Sequence, residues 1–318
     1  MWPWNKKEAN WFKATDEIIN ITGKLNKREI KDISTIPILN NLIFHVDQEP
    51  KTWGKIDNII LKKHPNVSIK EYGDSYEIWT DLGFLKHLKH LRKLNLGGYF
   101  RFLDLSFLSD CPNLEELILG EPMNKNISLS PIDQLSKLSS LHIASGFKDL
   151  GIINQLTSLE KLSLGGFNTK ETAIISECTT IKTLNIRSGT SELDVIRNMK
   201  SITDLEIGDV RKLDNLDFIS KLNNLEKLNL WWLSKVEAFP DFKNLVNLKS
   251  IYLENMNGLN DVSNLASATN LRLFRFVNAK KLQPSHFHFL KDMKSVEDVR
   301  IGFGSNKKNK ELENMLKE

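Results

Sequence analysis

The stretch Leu91-Arg-Lys-Leu-Asn-Leu96 carries three leucines, spaced first by three residues and then by two. The same LxxLxL pattern returns at Leu114–Leu119, Leu159–Leu164 and Leu225–Leu230. Spacing by three suits a helical or 3₁₀ segment, and spacing by two suits a strand whose alternate side chains point inward. Because the pattern recurs in phase, it predicts a chain built from repeats.

Twelve repeat starts can be assigned along the 318 residues. They recur every 21 to 28 residues, with a mean of about 23. The repeat that begins at Val67 fits least well, since its inward positions would hold Lys70 and Tyr72. The starts are Leu39, Val67, Leu91, Leu114, Leu138, Leu159, Ile181, Ile202, Leu225, Leu248, Leu271 and Val296.

Both ends of the chain depart from the repeat, and we expect them to cover the ends of its core. A stack of repeats exposes an apolar cross-section at each end, which capping segments must bury. Residues 1–29 are predicted to form an N-terminal helical cap, residues 30–303 the array of about 12 repeats, and residues 304–318 a C-terminal capping helix. The apolar residues on which the two caps rest are Trp2, Trp4, Trp11, Phe12, Ile18, Ile19 and Ile21, and then Leu312, Met315 and Leu316.

With so many repeats in phase, the chain resembles bacterial leucine-rich-repeat proteins, and its repeat length is similar to that of the internalin-like class. The resemblance covers about residues 30–303. It implies an α/β repeat solenoid, a horseshoe with a parallel β-sheet on the concave face and short helical or 3₁₀ segments on the convex face. It also implies a role in binding proteins.

Two features depart from that family. Internalins are exported and anchored, and this sequence shows neither signal, so their host-cell function is not carried over. The family pattern continues LxxLxLxxN, where the asparagine bonds backbone groups between turns. Without that asparagine, we expect water or local turns to satisfy those groups. The residues at this position are Tyr99, Pro122, Gly146, Phe167, Gly189, Val210, Leu233, Met256, Ala279 and Gly304.

Charge and cysteine content narrow the classes of partner and the compartment. The formal net charge of +4 is small for this length, and the charges are mixed in sign, so a nucleic acid or an anionic membrane is not expected as the main partner. Cys111 and Cys178 fall at inward positions, and two cysteines suit a reducing compartment. The sequence shows neither a secretion signal nor an apolar membrane-spanning run, so we expect a cytoplasmic protein.

No set of residues in the sequence is typical of catalysis. The close histidine pairs, His87 with His90 and His286 with His288, flank an inward residue and lack a metal-site spacing. We interpret them as solvated residues of the convex face. Phosphate-loop, nucleophile-elbow and metalloprotease motifs are not found, so the sequence predicts a non-enzyme without cofactor or metal.

The outward residues of successive strands form columns on the concave face, because parallel strands stack in register. In the first half the third of these columns is nearly all glycine and alanine, whereas in the second half it gains Arg187, Trp231 and Glu254. Tyr252 and Arg275 stand one and two strands beyond Trp231, and tryptophan, tyrosine and arginine are the types enriched in interface hot spots. Trp231 and Trp232 cannot both point inward, and they form either a binding patch or packing filler. The predicted protein-binding residues are Arg187, Glu206, Lys227, Asn229, Trp231, Trp232, Tyr252, Glu254, Arg275 and Arg300.

These observations favour a non-enzymatic protein–protein interaction module that holds a protein partner of unknown identity on its concave face. An immunity or inhibitor protein that neutralises a toxin or an enzyme is the alternative. A nucleic-acid binder is a minor alternative, and it predicts steep salt dependence of binding. An enzyme with an atypical site is the other class, and it would need a histidine beside Asp204 and Glu206.

Overall fold

The fold was analysed in a computed structural model that describes residues 10–71, 82–97, 104–122 and 124–317. Its contacts group the chain into two compact units, Met1–Leu159 and Glu160–Glu318, which are the N-terminal and the C-terminal unit below. A strand follows each of the twelve predicted repeat starts. None of the described helices is long and apolar enough to cross a membrane.

In the residues that the structure describes, the N-terminal unit is a sheet of seven strands that follow one another in chain order. The first two strands pair antiparallel, and each later strand pairs parallel with the one before it. Helices α1 (Lys27–Ser34) and α2 (Pro50–Ile56) and short 3₁₀ segments connect the strands. The strands are β1 (Trp11–Lys13), β2 (Ile18–Ile21), β3 (Asn41–Phe44), β4 (Ser68–Glu71), β5 (Lys93–Leu96), β6 (Glu116–Leu119) and β7 (Ser140–Ala144).

The C-terminal unit is a wholly parallel sheet of seven strands. Helix α3 (Thr169–Ile175) follows its first strand, and helix α4 (Asn306–Lys317) follows its last. The other connections contain 3₁₀ segments or irregular turns. The strands are β8 (Lys161–Gly165), β9 (Thr183–Arg187), β10 (Asp204–Gly208), β11 (Lys227–Trp231), β12 (Ser250–Glu254), β13 (Leu273–Val277) and β14 (Asp298–Ile301).

The core of each unit is built from the residues that define the repeat. In the repeat of β11, Leu222, Leu225, Leu228 and Leu230 are fully buried, while Asn229, between the last two leucines, faces outward. Burying one leucine side chain contributes roughly 1.5–3 kcal/mol, so the repeated leucines supply most of the stabilisation in every turn. The predicted leucine-rich-repeat solenoid is therefore confirmed in each unit.

The helix predicted for Trp11 to Ile21 is wrong. This segment forms an antiparallel hairpin in which Trp11 pairs with Ile21, and β2 then continues the sheet parallel to β3. The reason is the period of burial: Ile19 and Ile21 are buried, while Ile18 is partly exposed. Alternation among β-branched residues is a strand pattern. The predictions for Trp2 and Trp4 lie outside the described residues.

A helix begins only after the hairpin. Helix α1 starts at Lys27, where Asn26 and Glu29 form a reciprocal capping box, and it lies across the predicted boundary at residue 30. In the last cap, Leu312 and Met315 are buried on α4, within the range predicted for the C-terminal helix.

The repeat at Val67 is shifted by one residue from its prediction. Val67 and Ile69 are buried, and Ile69 pairs with Leu94 of the next strand, so Lys70 takes an outward position. An inward Lys70 would place a charge in the core without compensation, which costs several kcal/mol. Tyr72, the other inward residue predicted for this repeat, lies outside the described residues.

Strand exits of the C-terminal unit, meaning residues that directly follow its strands, form backbone hydrogen bonds without an asparagine side chain. The backbone N–H of Ser188, Asp209 and Trp232 donates to the carbonyl oxygen of Gly208, Trp231 and Glu254, at 3.0, 3.1 and 2.9 Å. At these exits the next strand accepts the bond. The expected local turns form one residue or more further on, where the carbonyls of Val210, Met256 and Ala279 each accept an N–H from three residues later at 3.1 Å. The residue that follows each of the strands β8 to β13 has a positive φ; these strand-exit residues are Gly166, Ser188, Asp209, Trp232, Asn255 and Asn278.

Candidate protein-binding face

The outward columns of the C-terminal unit lie in the register that the sequence predicts. Glu206 pairs with Asn229, Asn229 with Tyr252, and Tyr252 with Arg275, which in turn pairs with Arg300. Side chains of one column therefore stand on adjacent strands, about 4.8 Å apart. The predicted geometry of this face is confirmed, and its role in binding stays a prediction.

The centre of this face is the Trp231 cluster, formed by Arg187, Glu206, Gly208 and Trp231. The indole Nε1–H of Trp231 donates to Glu206 Oε1 at 3.3 Å, and Arg187 Nη2 donates to the same oxygen at 2.9 Å. The guanidinium carbon of Arg187 lies 5.4 Å from the centre of the indole ring, within cation–π range. One carboxylate thus holds the indole and the guanidinium together.

Gly208 gives the Trp231 ring the space that it occupies. A β-carbon built on Gly208 would lie 1.9 Å from Cε2 of Trp231, so the indole lies directly over the bare backbone of β10. Gly208 is buried by this ring although it stands on the outward side of the strand. A side chain at position 208 would displace the ring, which makes this glycine part of the cluster.

The two tryptophans have different environments. Trp231 is half-buried in its cluster and so partly fills space, whereas Trp232 is 52% exposed. The two rings meet edge-on, with 5.7 Å between their centres. Trp232 has a φ of 55°, a left-handed conformation that costs a residue with a β-carbon roughly 1–2 kcal/mol. The interpretation as packing filler therefore fits the half-buried side of Trp231, but it does not fit the exposed ring of Trp232.

A row of hydrogen bonds continues the face along the strand exits. Tyr252 Oη donates to Glu254 Oε2 at 2.9 Å, and Asn255 donates to Glu254 Oε1 at 3.1 Å. Asn278 then donates to Asn255 Oδ1 at 2.8 Å. The bond to Glu254 raises the pKa of Tyr252 above its ordinary value, with smaller contributions from burial and the nearby negative charge. These contacts orient the Tyr252 phenol.

Surface ion pairs complete the polar part of the face. Lys227 Nζ lies 2.9 Å from Asp204 Oδ1, and this hydrogen bond raises the pKa of Lys227. Asp298 accepts from Arg275 at 3.0 Å and from Arg300 at 3.1 Å, and these bonds, that of Arg275 first, lower its pKa. Exposed pairs of this kind contribute little to stability, so their main effect is to orient the charges.

Sequence reasoning missed several residues of this face. Leu273 and Val277 are 39% and 40% exposed and flank Arg275 on β13, which adds apolar area. Asn255 and Asn278 were also missed, although an asparagine directly after an outward strand residue is a signal for a left-handed exit. Asn229, which was predicted, is half-buried between Glu206 and Tyr252 in the same column.

The cysteines are buried in the core, and one histidine of the predicted pairs bonds a buried carboxylate. Cys111 and Cys178 are buried thiols outside any disulfide, and burial raises the pKa of Cys111 to about 12. His90 is not simply solvated, since its Nδ1 lies 2.8 Å from Oδ2 of buried Asp57. Within the described ranges, no group of three or more His, Cys, Asp or Glu side chains could hold a metal ion.

The strands and their register define the fold: the chain has the fold of a leucine-rich-repeat solenoid. No family model matches it. No curated protein matches it either.

Several solved structures are similar to the chain. They include an internalin (inlF) from Listeria monocytogenes, 20% identical over 85% of this chain and 76% of that chain, with a TM-score of 0.47. Internalin C2 from the same species is 19% identical over 70% and 84% of the two chains, with a TM-score of 0.40. The TLR13–ssRNA13 complex is 16% identical over 90% and 61%, with a TM-score of 0.44.

Proposed function

We propose that the chain is a non-enzymatic protein–protein interaction module that binds a protein partner on the concave face of its C-terminal unit. The observation that carries this proposal is the tryptophan pair. Trp231 is held in place by Glu206 and Arg187, and beside it Trp232 is exposed in a strained backbone conformation. The positive φ is shared by the other strand exits, so it is the exposed indole at this position that favours contact with a partner.

The energetics of recognition favour this face. Aromatic residues and arginine dominate interface hot spots, because they bury large areas and keep a polar handle. Trp231 and Tyr252 already have their orientations fixed by hydrogen bonds, so binding orders them at little further entropic cost. Exposed Leu273 and Val277 extend the apolar area toward the last strands.

The charges of the face favour a protein over a nucleic acid. Cations of this face stand beside carboxylates: Lys227 beside Asp204, Arg187 beside Glu206, and Arg275 beside Asp298. A surface of paired charges suits the mixed charges of a protein partner, whereas a phosphate backbone calls for unpaired cations. Binding to the partner should therefore depend weakly on salt concentration.

The test is affinity purification from the native organism with three forms of the chain. The wild type should capture a partner, and a Trp231→Ala/Tyr252→Ala double mutant should lose it, with the dissociation constant raised at least about thirtyfold for hot-spot residues. Val246→Ala is the matched control, because Val246 is an apolar residue, 57% exposed, that lies outside the strands. Equal capture by all three forms would contradict the proposal.

The identity of the captured partner decides between the two roles that the sequence left open. An immunity or inhibitor protein would lower the activity of a captured enzyme or toxin at stoichiometric concentrations, and a scaffold would not. We also propose a cytoplasmic location, in line with two buried thiols outside any disulfide. Cell fractionation tests it, since recovery outside the cytoplasmic fraction would overturn it.

A further inference from the structure

Strand β14 has a free edge in the described part of the chain. The N–H groups of Asp298 and Gly302 donate to the carbonyls of Arg272 and Phe276, at 3.1 and 2.9 Å. Alternate residues of a parallel strand turn both backbone groups to the same side, so those of Val299 and Ile301 face away from β13. Among the described residues, no hydrogen bond reaches them on that side.

A groove runs between this edge and helix α4. It has a volume of about 510 Å³, and its lining includes Tyr252, Arg275, Val299, Ile301, Leu312 and Leu316. The helix packs mainly on the convex segment Pro284–Lys291, so it stands beside the edge without pairing to it. Asn309 also lines the groove, and its Oδ1 accepts the N–H of Phe303 at 3.0 Å, which caps the edge after Ile301.

The two sides of the groove differ in chemistry. On the concave side, Arg275 and Arg300 share the single carboxylate of Asp298, which leaves one positive charge in excess. On the helix side, half-buried Leu316 and buried Leu312 present an apolar wall, with exposed Glu313 as its acidic residue. A strand laid along β14 would direct alternate side chains to these two sides.

The charge of the surrounding segment is strongly positive. Residues 271–318 hold 11 lysines and arginines against six aspartates and glutamates, a formal charge of +5 when the whole chain carries +4. Such a segment attracts an acidic partner. A second copy of this chain would bring the same excess of positive charge to the edge, so self-pairing is disfavoured.

We propose that this groove binds an extended peptide segment of a partner protein, in which acidic and apolar residues alternate. The segment would add to β14 as a further strand, with its acidic side chains toward Arg275 and Arg300 and its apolar side chains toward Leu312 and Leu316. Backbone hydrogen bonds to Val299 and Ile301 would supply affinity, and the alternation would supply specificity. This site is distinct from the Trp231 cluster and does not depend on it.

Synthetic peptides test the chemistry of the site. A short, fluorescently labelled peptide of alternating glutamate and valine should bind the full chain, and its lysine–valine counterpart should bind at least about tenfold more weakly. N-methylation of one alternate set of residues should abolish binding, and methylation of the other set should be tolerated, because only one set faces β14. No binding, equal affinity of the two peptides, or equal tolerance of both methylated sets would overturn the proposal.

Protein variants locate the site. Val299→Pro removes an edge N–H that bonds nothing among the described residues, and edge strands accept proline, so the melting temperature should hold while the affinity falls about tenfold or more. If that variant unfolds, Leu316→Glu gives the second measurement, since it adds negative charge to the apolar wall and should weaken binding of the acidic peptide.

Two controls distinguish this site from the Trp231 cluster and from self-association. Because Tyr252 also lines the groove, the single variant Trp231→Ala is the one that separates the two surfaces. It should lose partner capture and bind the peptide like the wild type. Unchanged affinity in Val299→Pro, together with unchanged affinity in Leu316→Glu, would refute the site. Dimerisation of the wild type that Val299→Pro abolishes would assign the edge to a second copy instead.

Discussion

The Trp231 indole depends on a glycine of the neighbouring strand for its position. It lies over Gly208, donates to Glu206 and stacks near Arg187. These contacts hold a large aromatic surface in one orientation before any partner arrives. A preformed anchor of this kind loses less entropy on binding than a mobile one.

Gly208→Ala should therefore disturb recognition while the fold remains. The added methyl group would overlap the indole, so Trp231 must leave Glu206 and its emission spectrum should change, with partner affinity lowered about tenfold or more. Gly302→Ala is the matched control in the same column, because its nearest atom, Phe276 O, is 3.9 Å away. An unchanged emission spectrum in Gly208→Ala would contradict this account.

The phenol of Tyr252 gives a prediction on pH. Its pKa is raised by the bond to Glu254, so folding favours the neutral phenol. The resulting stabilisation is complete below the ordinary pKa of 10.0 and is lost as the pH rises through the higher pKa of the folded protein. The difference in tyrosinate absorbance between the wild type and Tyr252→Phe reports on Tyr252, and its midpoint should lie above pH 10.0. Glu254→Gln should move the midpoint down, and an unchanged midpoint would contradict the assignment.

The sequence predicts which residues share the concave face, because alternation along a strand fixes the side of every residue. It does not predict the contacts within the Trp231 cluster. Those contacts depend on the χ angles of Trp231 and on the space above Gly208, and neither follows from spacing. Likewise, the two hydrogen bonds that the Asp298 carboxylate accepts from Arg275 and Arg300 became visible only in the structure.

At the level of elements, the N-terminal hairpin and α1 are joined to β3 by a buried amide. Gln48 is 2% exposed, and its Nε2 donates to the carbonyls of Gly23 and Val46, both at 3.0 Å. Its Oε1 accepts the N–H of Leu25 at 2.8 Å. One side chain thus satisfies three backbone groups at the point where the hairpin meets the first repeat.

Gln48→Ala should lower the free energy of unfolding by about 2 kcal/mol, because it leaves buried backbone groups without partners. Gln134→Ala makes the same change at an exposed position and should stay within about 0.5 kcal/mol of the wild type. Urea denaturation followed by circular dichroism measures both. Equal stability of the two variants would show that the hydrogen bonds of Gln48 do not stabilise the fold.

The hairpin was the element most poorly predicted, because two sequence patterns compete in it. Trp11, Phe12, Ile18, Ile19 and Ile21 satisfy a loose helical spacing, and the expectation of a cap favoured a helix. The run of β-branched residues at Ile18 to Ile21 was the stronger signal. Hydrogen bonding along β3 then decided the outcome, since it pairs with β2.

Across the whole chain, each compact unit contains one buried cysteine. Cys111 lies in the N-terminal unit and Cys178 in the C-terminal unit. Both should react with a thiol reagent about a hundredfold or more slowly in native buffer than in urea, since buried thiols become accessible only through opening. The raised pKa of Cys111 slows its reaction further.

Single-cysteine variants make this measurement specific to each unit. Cys178→Ala leaves a reporter for opening of the N-terminal unit, and Cys111→Ala leaves one for the C-terminal unit. Mass spectrometry of the labelled chain gives both rates. Fast labelling of either thiol in native buffer would show that its repeat opens far more readily than a fully buried core allows.

The solenoid was predictable because its signal is repeated, so an error in one repeat does not change the assignment. The repeat at Val67 shows this: its register was off by one residue, yet β4 still pairs between β3 and β5. The ends had no such redundancy. Their structure depended on local choices between helix and strand that a single segment does not settle.

The strand-exit residues have a consequence for how such a chain can diversify. From Gly166 to Asn255 their backbone is already left-handed and donates a hydrogen bond to the next strand, and this holds for serine, aspartate, tryptophan and asparagine alike. Glycine fits this backbone conformation best, so each larger residue at these positions lowers the melting temperature slightly. In return, the position carries a side chain that a partner can contact. Because a substitution at an exit touches neither core nor register, this column is a natural position for a combinatorial library, in which new specificities could be selected without redesigning the scaffold.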